Sequence, residues 1–247
     1  MKQRLDICVI EKRGFSRTYA REAIEAGLVQ VNGKTVTRPG NMVLCDTVTV
    51  LAPDMPYVSR GGYKLAAAFE AFDIDLSGLV CLDVGASTGG FTDCMLKQKA
   101  RLVYAVDVGK EQFTQSLKDD CRVILYESVD VRNVNLPETV DFAACDVSFI
   151  SVAKILPSLR ELIKPGGGFV CLIKPQFETE GRHLNKKGVV KEKSARKSAV
   201  QRVLTALREN GFAVNGVIES PITGRDGNVE FLAYSNVMLR NVITLEY

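Results

Sequence analysis

The stretch Leu82-Asp83-Val84-Gly85-Ala86-Ser87-Thr88-Gly89-Gly90-Phe91-Thr92 decides how this chain of 247 residues is read. An apolar run, Leu79 to Val84, meets a glycine-rich turn and then a stretch of helical spacing, Gly89 to Lys97. Strand, turn and helix in that order open many ligand-binding α/β domains. The glycines let a ligand approach backbone, and the helix N-terminus favours negative charge. The dinucleotide fingerprint G-x-G-x-x-G is not met, because Ser87 stands where its second glycine belongs. No Gly-Lys-Ser/Thr closes a phosphate-binding loop either.

Outward from this turn, strands and helices alternate. Gly61 to Phe72 reads as an alanine-rich helix ahead of the turn. After it come strand Leu102 to Val106, helix Gln112 to Leu117, strand Val123 to Leu125, strand Val140 to Cys145, helix 150–163, strand Phe169 to Ile173 and helix Ser194 to Asn210. Two strands, Val214 to Glu219 and Val229 to Tyr234, finish the pattern with no helix between them. The alternation predicts an α/β fold with a mostly parallel, Rossmann-like sheet and helices on both faces. The last strand is predicted to run antiparallel to its neighbour.

The first fifth of the chain is different. Ser16 is the expected N-cap of a helix from Arg17 to Ala26 that ends at Gly27. Leu28 to Val31 and Lys34 to Thr37 read as strands around the turn pair Asn32-Gly33, and Asp46 to Leu51 as a closing strand. Ala20, Ala23 and Ile24 can face a small core. Residues 1–52 hold eight basic side chains (Lys2, Arg4, Lys12, Arg13, Arg17, Arg21, Lys34, Arg38) and five acidic ones, so the whole formal charge of +3 resides there. Arg17 and Arg21 share a helix face beside Lys12 and Arg13, where they can bridge phosphates. The join, Ala52-Pro53-Asp54-Met55-Pro56, has two prolines and no periodicity. The division expected is 1–52, a linker at 53–58, and 59–247; the acid Asp54 would lie near the substrate side.

No apolar run is long enough to cross a bilayer, and the N-terminus is no signal peptide, so the expected compartment is the cytoplasm. Seven cysteines in no C-x-x-C pair are expected as buried free thiols, with no disulfide framework and no metal site. The one histidine, His183, excludes a two-histidine metal site and is expected in a solvated loop.

The pattern D-x-G-x-S-x-G-G (Asp83, Gly85, Ser87, Gly89, Gly90, then Phe91) resembles the first motif of class I S-adenosylmethionine-dependent methyltransferases. That resemblance implies S-adenosylmethionine as cofactor, its methionine half against the turn. Asp107 ends the next strand, 24 residues after Asp83, where an acid can accept both ribose hydroxyls. Asp130 follows the third strand, near the expected adenine position.

Strand ends also bring charge together. Asp146 ends one strand and Lys174 another, and Glu230 starts an antiparallel strand at the same edge. Lys64 sits on the preceding helix, within reach. The order Lys64, Asp146, Lys174, Glu230 matches the tetrad of ribose 2′-O-methyltransferases of the FtsJ/RrmJ type. The first module, with RLD, an SR helix start, a V-x-V-N-G-K hairpin and a D-x-V-x-V strand, resembles the S-four-type RNA-binding domain. Together, segments such as YVSRGGYKL, CDVSFIS, LIKPQFE, KGVVKE and GNVEFLAY make the chain resemble the TlyA (haemolysin A) family of ribosomal RNA methyltransferases. The resemblance implies ribosomal RNA or a ribosomal subunit as partner, cytidine as target, and RNA contacts by Arg4, Lys12, Arg13, Arg17, Arg21 and Lys34. It makes Lys174 the general base. Lys64 would position the hydroxyl and steady the alkoxide, and Asp146 and Glu230 would orient the lysines. The polar segment 178–193 is expected to close over RNA. Two rival readings are a non-catalytic ribosome-assembly factor and a pore-forming haemolysin. The full tetrad argues against the first, and the absence of an apolar span in the sequence against the second.

Overall fold

The computed structural model describes residues 1–239 except Ser16, 53–55, Glu180 and Arg225. The expected cap Ser16 and the acid Asp54 therefore lie outside the described residues.

The first unit contains β1 (Lys2–Arg4), α1 (Leu5–Arg13), α2 (Arg17–Glu25), β2 (Val29–Val31), β3 (Lys34–Thr35), β4 (Met42–Leu44) and β5 (Val48–Val50). β1 pairs antiparallel with β4, while β3, β2 and β5 form a second small antiparallel sheet. Ala20, Ala23 and Ile24 of α2 face a core with Leu5, Cys8 and Val9 of α1, as helical spacing requires. α1 and β4 have no counterpart in the spacing-based reading. The expectation of free thiols fails at one place: Cys8 and Cys45 are disulfide-bonded, with Cα atoms 5.3 Å apart. The fold puts the two ends of the unit side by side, a proximity that a separation of 37 residues does not reveal.

The second unit runs α3 (Gly61–Phe72), β6 (Val80–Val84), α4 (Gly90–Lys97), β7 (Leu102–Asp107), α5 (Gln115–Lys118), β8 (Val123–Glu127), β9 (Val140–Cys145), α6 (Leu156–Leu162), β10 (Ile163–Ile173), α7 (Pro175–Glu178), α8 (Lys193–Glu209), β11 (Phe212–Glu219) and β12 (Phe231–Val237). The sheet order is β11-β12-β10-β9-β6-β7-β8. β12 alone runs against the rest, pairing antiparallel with both β10 and β11. Strand residues alternate between the two faces. Val80, Leu82 and Val84 join α6 and α8 in one core, and Cys81 joins α3 and α4 in the other. The predicted helix 150–163 is broken: a 3-10 turn, Val152–Lys154, precedes α6. Pro157 at the start of α6 lacks the N–H that a continuous helix would need. β10 is six residues longer than the apolar run, because Ile163 begins it before a register shift at Gly168.

The chain goes from β6 outward to β7 and β8, then returns to β9 on the other side of β6. This reversal opens a crevice beyond the carboxyl ends of the strands. The residues singled out in the second unit lie in or around it.

Candidate active site

Gly85 and Ser87 turn the chain out of β6 with φ of 82° and 48°. Gly85 must be glycine here: a Cβ would meet the Asp146 carbonyl oxygen at 2.6 Å, on top of the positive φ. Asp146 N donates to Val84 O at 2.9 Å, which brings the end of β9 against the turn. At Gly90 a Cβ would strike Ser59 Oγ at 2.2 Å, so helix α4 starts hard against the approach to α3.

Two cavities meet at this point and share Gly85, Ser87 and Asp146. One, of about 320 Å³, has apolar walls from Val108, Val131, Ile150 and Ile155, and carries Asp107 and Asp130. Asp107 Oδ2 accepts from Ser87 N at 2.7 Å and Oδ1 from Gly109 N at 2.5 Å. Two backbone donors thus fix the carboxylate, and each oxygen keeps a lone pair for a hydroxyl donor. Asp130 reaches the same cavity, but its carboxylate caps a 3-10 turn and is forked by Arg132 at 2.9 and 2.6 Å. The Arg132 hydrogen bonds hold its pKa below the ordinary carboxylate value.

Asp83 is placed differently from the sequence expectation. It is fully buried behind the turn, where Oδ2 accepts from Thr92 N at 2.9 Å and Thr92 Oγ1 at 2.6 Å. It lines neither cavity; it ties β6 to α4. Burial raises its pKa from 3.8 to about 7, against the pull of the Thr92 bonds. Gly89 also stays out of the cavities, packed against Leu117. Phe91 is buried and contributes to the wall of the second cavity.

That second cavity, of about 280 Å³, gathers Lys64, Asp146, Lys174 and Glu230. The antiparallel start of β12 makes this possible. Ile173 pairs with Phe231, which sets Glu230 beside Lys174. Lys64 Nζ donates to Glu230 Oε2 at 2.6 Å, in a pair whose side chains are 11% and 3% exposed. Lys174 Nζ lies 2.5 Å from Asp146 Oδ1, an ion pair by distance, while its directed hydrogen bond goes to Ser148 Oγ at 2.8 Å. The site therefore holds two lysines, each with its own carboxylate.

Sequence reasoning missed several groups here. Tyr19 and Glu22 of α2, from the first unit, also line this cavity, together with Ser59, Arg60 and Gly224. No local signal marks α2 as part of the site, since only tertiary docking brings it there. Of the six basic residues expected to touch RNA, three have internal work. Arg4 forks the buried Asp6 at 2.9 and 2.8 Å. Lys12 donates to Val48 O at 2.9 Å, and Arg13 to Val50 O and Ala52 O at 3.1 Å. Arg17, Arg21 and Lys34 are exposed, as are Arg4 and Lys12 despite their internal bonds, while Arg13 is half-buried. The segment after α7 forms a small hairpin, bridged between Leu184 and Val190 and pinned by Asn228. Among the described residues no cluster of His, Cys, Asp and Glu could hold a metal, and no helix is long and apolar enough to cross a membrane.

This geometry can be set against known proteins. Residues 57–237 match the family model for FtsJ-like methyltransferases, and residues 3–44 match that for the S4 domain. The chain belongs to the FtsJ-like methyltransferase family. It is 39% identical over 231 residues to the 16S/23S rRNA (cytidine-2′-O)-methyltransferase TlyA of Mycobacterium tuberculosis, covering 90% of this chain and 86% of the relative. It is 32% identical over 251 residues to the 23S rRNA (cytidine-2′-O)-methyltransferase TlyA of Campylobacter jejuni, covering 94% and 98%. A solved structure from Streptococcus thermophilus, carried under the hemolysin name, superposes with a TM-score of 0.77 at 39% identity, over 96% of this chain and 89% of that one. The FtsJ-like methyltransferase is thus joined to an S4 domain whose helix α2 reaches the tetrad cavity.

Proposed function

We propose that this FtsJ-like methyltransferase transfers a methyl group from S-adenosylmethionine to a ribose 2′-hydroxyl of ribosomal RNA, with cytidine the target implied by its named relatives. The observation that carries the reading is the meeting of the two cavities at Gly85, Ser87 and Asp146. One cavity has the turn, the apolar slot and the fixed carboxylate of Asp107 that suit a nucleoside with a vicinal diol. The other has the paired lysines and carboxylates. The residues fit S-adenosylmethionine: bare backbone at Gly85 for the methionine portion, Asp107 for the ribose, and Val108, Val131 and Ile155 for the base. When bound, that cofactor supplies an electrophilic methyl group on a sulfonium.

The chain supplies alignment and proton handling. A ribose hydroxyl is a weak acid and needs an acceptor at the moment of attack. Lys174 Nζ, once its ammonium has given up one proton to solvent, is the proposed acceptor of the hydroxyl proton; Ser148 Oγ and Asp146 keep it in place. Lys64 Nζ holds the oxygen as its charge grows, and Glu230 fixes that ammonium from the other side. Asp107 binds the ribose of the donor. Asp83 acts indirectly, by fixing the turn to α4. Asp130 is committed to Arg132 and is left a minor part at the base. The S4 unit, about residues 1–52, supplies RNA contacts through Arg17, Arg21 and Lys34, and residues from about 59 onward form the methyltransferase unit. Pairing with ribosomal RNA points to the cytoplasm as the site of action.

The test is transfer of labelled methyl groups from S-adenosylmethionine to separate unmethylated 30S and 50S subunits, beside Lys174→Ala. Label recovered as 2′-O-methylcytidine and lost in the variant is the expected result. A protein that binds the donor and both subunits yet labels neither sinks the reading.

A further inference from the structure

One charged pair in the acceptor cavity has no place in the reaction just described. Arg60 Nε lies 3.1 Å from Glu22 Oε2, with the two side chains 39% and 28% exposed. Both residues line the cavity that holds Lys64, Asp146, Lys174 and Glu230. Arg60 precedes Lys64 by four residues, so the two face the same way at the start of α3. Glu22 comes from the other unit, on α2, next in sequence to the exposed Arg21 and five residues after the exposed Arg17.

Asp146 and Glu230 are each matched by a lysine of the tetrad, but Glu22 adds a third carboxylate to a cavity that must admit a polyanion. Its position is explained by the chemistry of the acceptor. A ribose 2′-hydroxyl in RNA is attached next to the carbon that carries the 3′-phosphodiester. Any nucleotide that brings its 2′-oxygen to Lys64 brings that phosphate with it. A planar guanidinium one helical turn from Lys64 is suited to a two-pronged bond to such a phosphate. A carboxylate presents the same fork.

We propose that Arg60 is the subsite for the phosphate of the target nucleotide, and that Glu22 occupies it as an internal stand-in until RNA displaces it. The inference rests on the acceptor assignment above. RNA phosphates gathered by Arg17 and Arg21 arrive beside Glu22 on the same helix, so binding at the S4 unit and opening of the acceptor cavity are linked. The displaced Glu22 loses its ion pair, and that exchange weakens the net binding of any anion at Arg60.

The test uses the full chain without methyl donor, and a fluorescently labelled single-stranded RNA of mixed sequence, with affinity followed across salt concentrations. Glu22→Gln is expected to tighten binding by up to about fivefold, the size of one partly exposed ion pair. Arg60→Ala is expected to weaken binding and lower the salt slope by about one. The double variant should match Arg60→Ala alone. Glu25→Gln, the exposed acid on the same helix, removes equal charge away from the cavity and should leave affinity unchanged. Arg60→Lys, which keeps the charge and loses the fork, covers the case in which Arg60→Ala disturbs the start of α3. It should also weaken binding. The proposal is overturned if Glu22→Gln has no effect, if its gain persists without Arg60, or if Glu25→Gln gives the same gain. Because no methyl transfer is measured, an intact binding pattern in a protein that methylates nothing would count against the enzymatic reading and not against this subsite.

Discussion

Lys64 and Glu230 are 166 positions apart in the chain, and their side chains meet at 2.6 Å in a site closed to water on most sides. Helix α3 brings one and the reversed strand β12 the other. A pair buried this deeply has two roles that mutation can separate. Removing one partner leaves an uncompensated buried charge, at a cost of about 3–5 kcal/mol. Lys64→Ala and Glu230→Ala are each expected to lower the unfolding free energy by about that amount. Replacing both, as Lys64→Met with Glu230→Leu, should recover most of the stability and none of the methyl transfer. Denaturant unfolding and turnover on the same preparations check this. A stable double variant with wild-type turnover would remove both residues from the chemistry.

The pairing also shows what the sequence carries and what it does not. The mostly parallel sheet is written in its apolar runs: strand 140–145 and helix 61–72 match their predicted limits. Strand ends share one edge, so Asp146, Lys174 and Glu230 converge as soon as β12 is read as reversed. Partnering is not written there. Arg4, Lys12 and Arg13 look like any basic residues until the fold supplies Asp6 and the carbonyls of Val48, Val50 and Ala52. Asp83 has the spacing of a ligand-binding acid, yet Thr92 turns it inward. Arg60 stands in the YVSRGGYKL segment, yet nothing there announces Glu22 as its partner, because the docking of two units creates their contact.

The S4 unit's basic residues divide accordingly. Arg4 serves Asp6, whose side chain is fully buried and whose pKa is lowered chiefly by the Arg4 hydrogen bonds. Arg4→Ala should therefore destabilise the unit, because it leaves the buried Asp6 carboxylate without its partner. A depressed carboxylate pKa gives stability that is present above the unfolded value near 3.9 and lost as pH falls through the folded one. The variant should thus lose part of the wild type's acid-side slope. Arg17→Ala and Arg21→Ala should leave stability within about 0.5 kcal/mol and each reduce the salt slope of RNA binding by about one. Unfolding curves and salt titrations for the three variants decide it; the reverse division would contradict the structure.

Asp83 predicts a pH dependence of opposite sign. Its pKa is raised by burial from 3.8 to about 7. The folded protein therefore holds this proton where the unfolded chain has released it. Stability from the protonated form is complete below about pH 4 and is lost as pH rises through about 7, by at most about 4 kcal/mol. Asp83→Asn keeps an acceptor for Thr92 and removes the titration. Its stability relative to wild type should rise from pH 4.5 to about pH 7 and level off above that. A difference that stays flat over that range would show that Asp83 is ionised throughout.

Asn228 connects the hairpin after α7 to the tetrad, and its removal should reach both. Its side chain is buried, with Oδ1 accepting from Val190 N at 3.0 Å and Nδ2 donating to Gly188 O at 3.1 Å. Its backbone carbonyl accepts from Gly224 N at 2.8 Å, two residues before Glu230. Space around Glu230 is tight, since a Cβ at Gly224 would lie 2.4 Å from Glu230 Oε1. Asn228→Ala leaves a buried N–H and a partly buried carbonyl unpaired, for about 1–3 kcal/mol. Protease cutting within 184–190 should increase. If the turn also holds Glu230 in place, kcat should fall about tenfold or more, while the donor's affinity, proposed to rest on Gly85 and Asp107, stays unchanged. Asn228→Asp keeps the acceptor for Val190 N and loses the bond to Gly188 O, so it should fall between the two proteins in cutting and in kcat. Faster cutting with undiminished kcat would confine Asn228 to holding the hairpin, and the tetrad would then owe its geometry to the β10–β12 register alone.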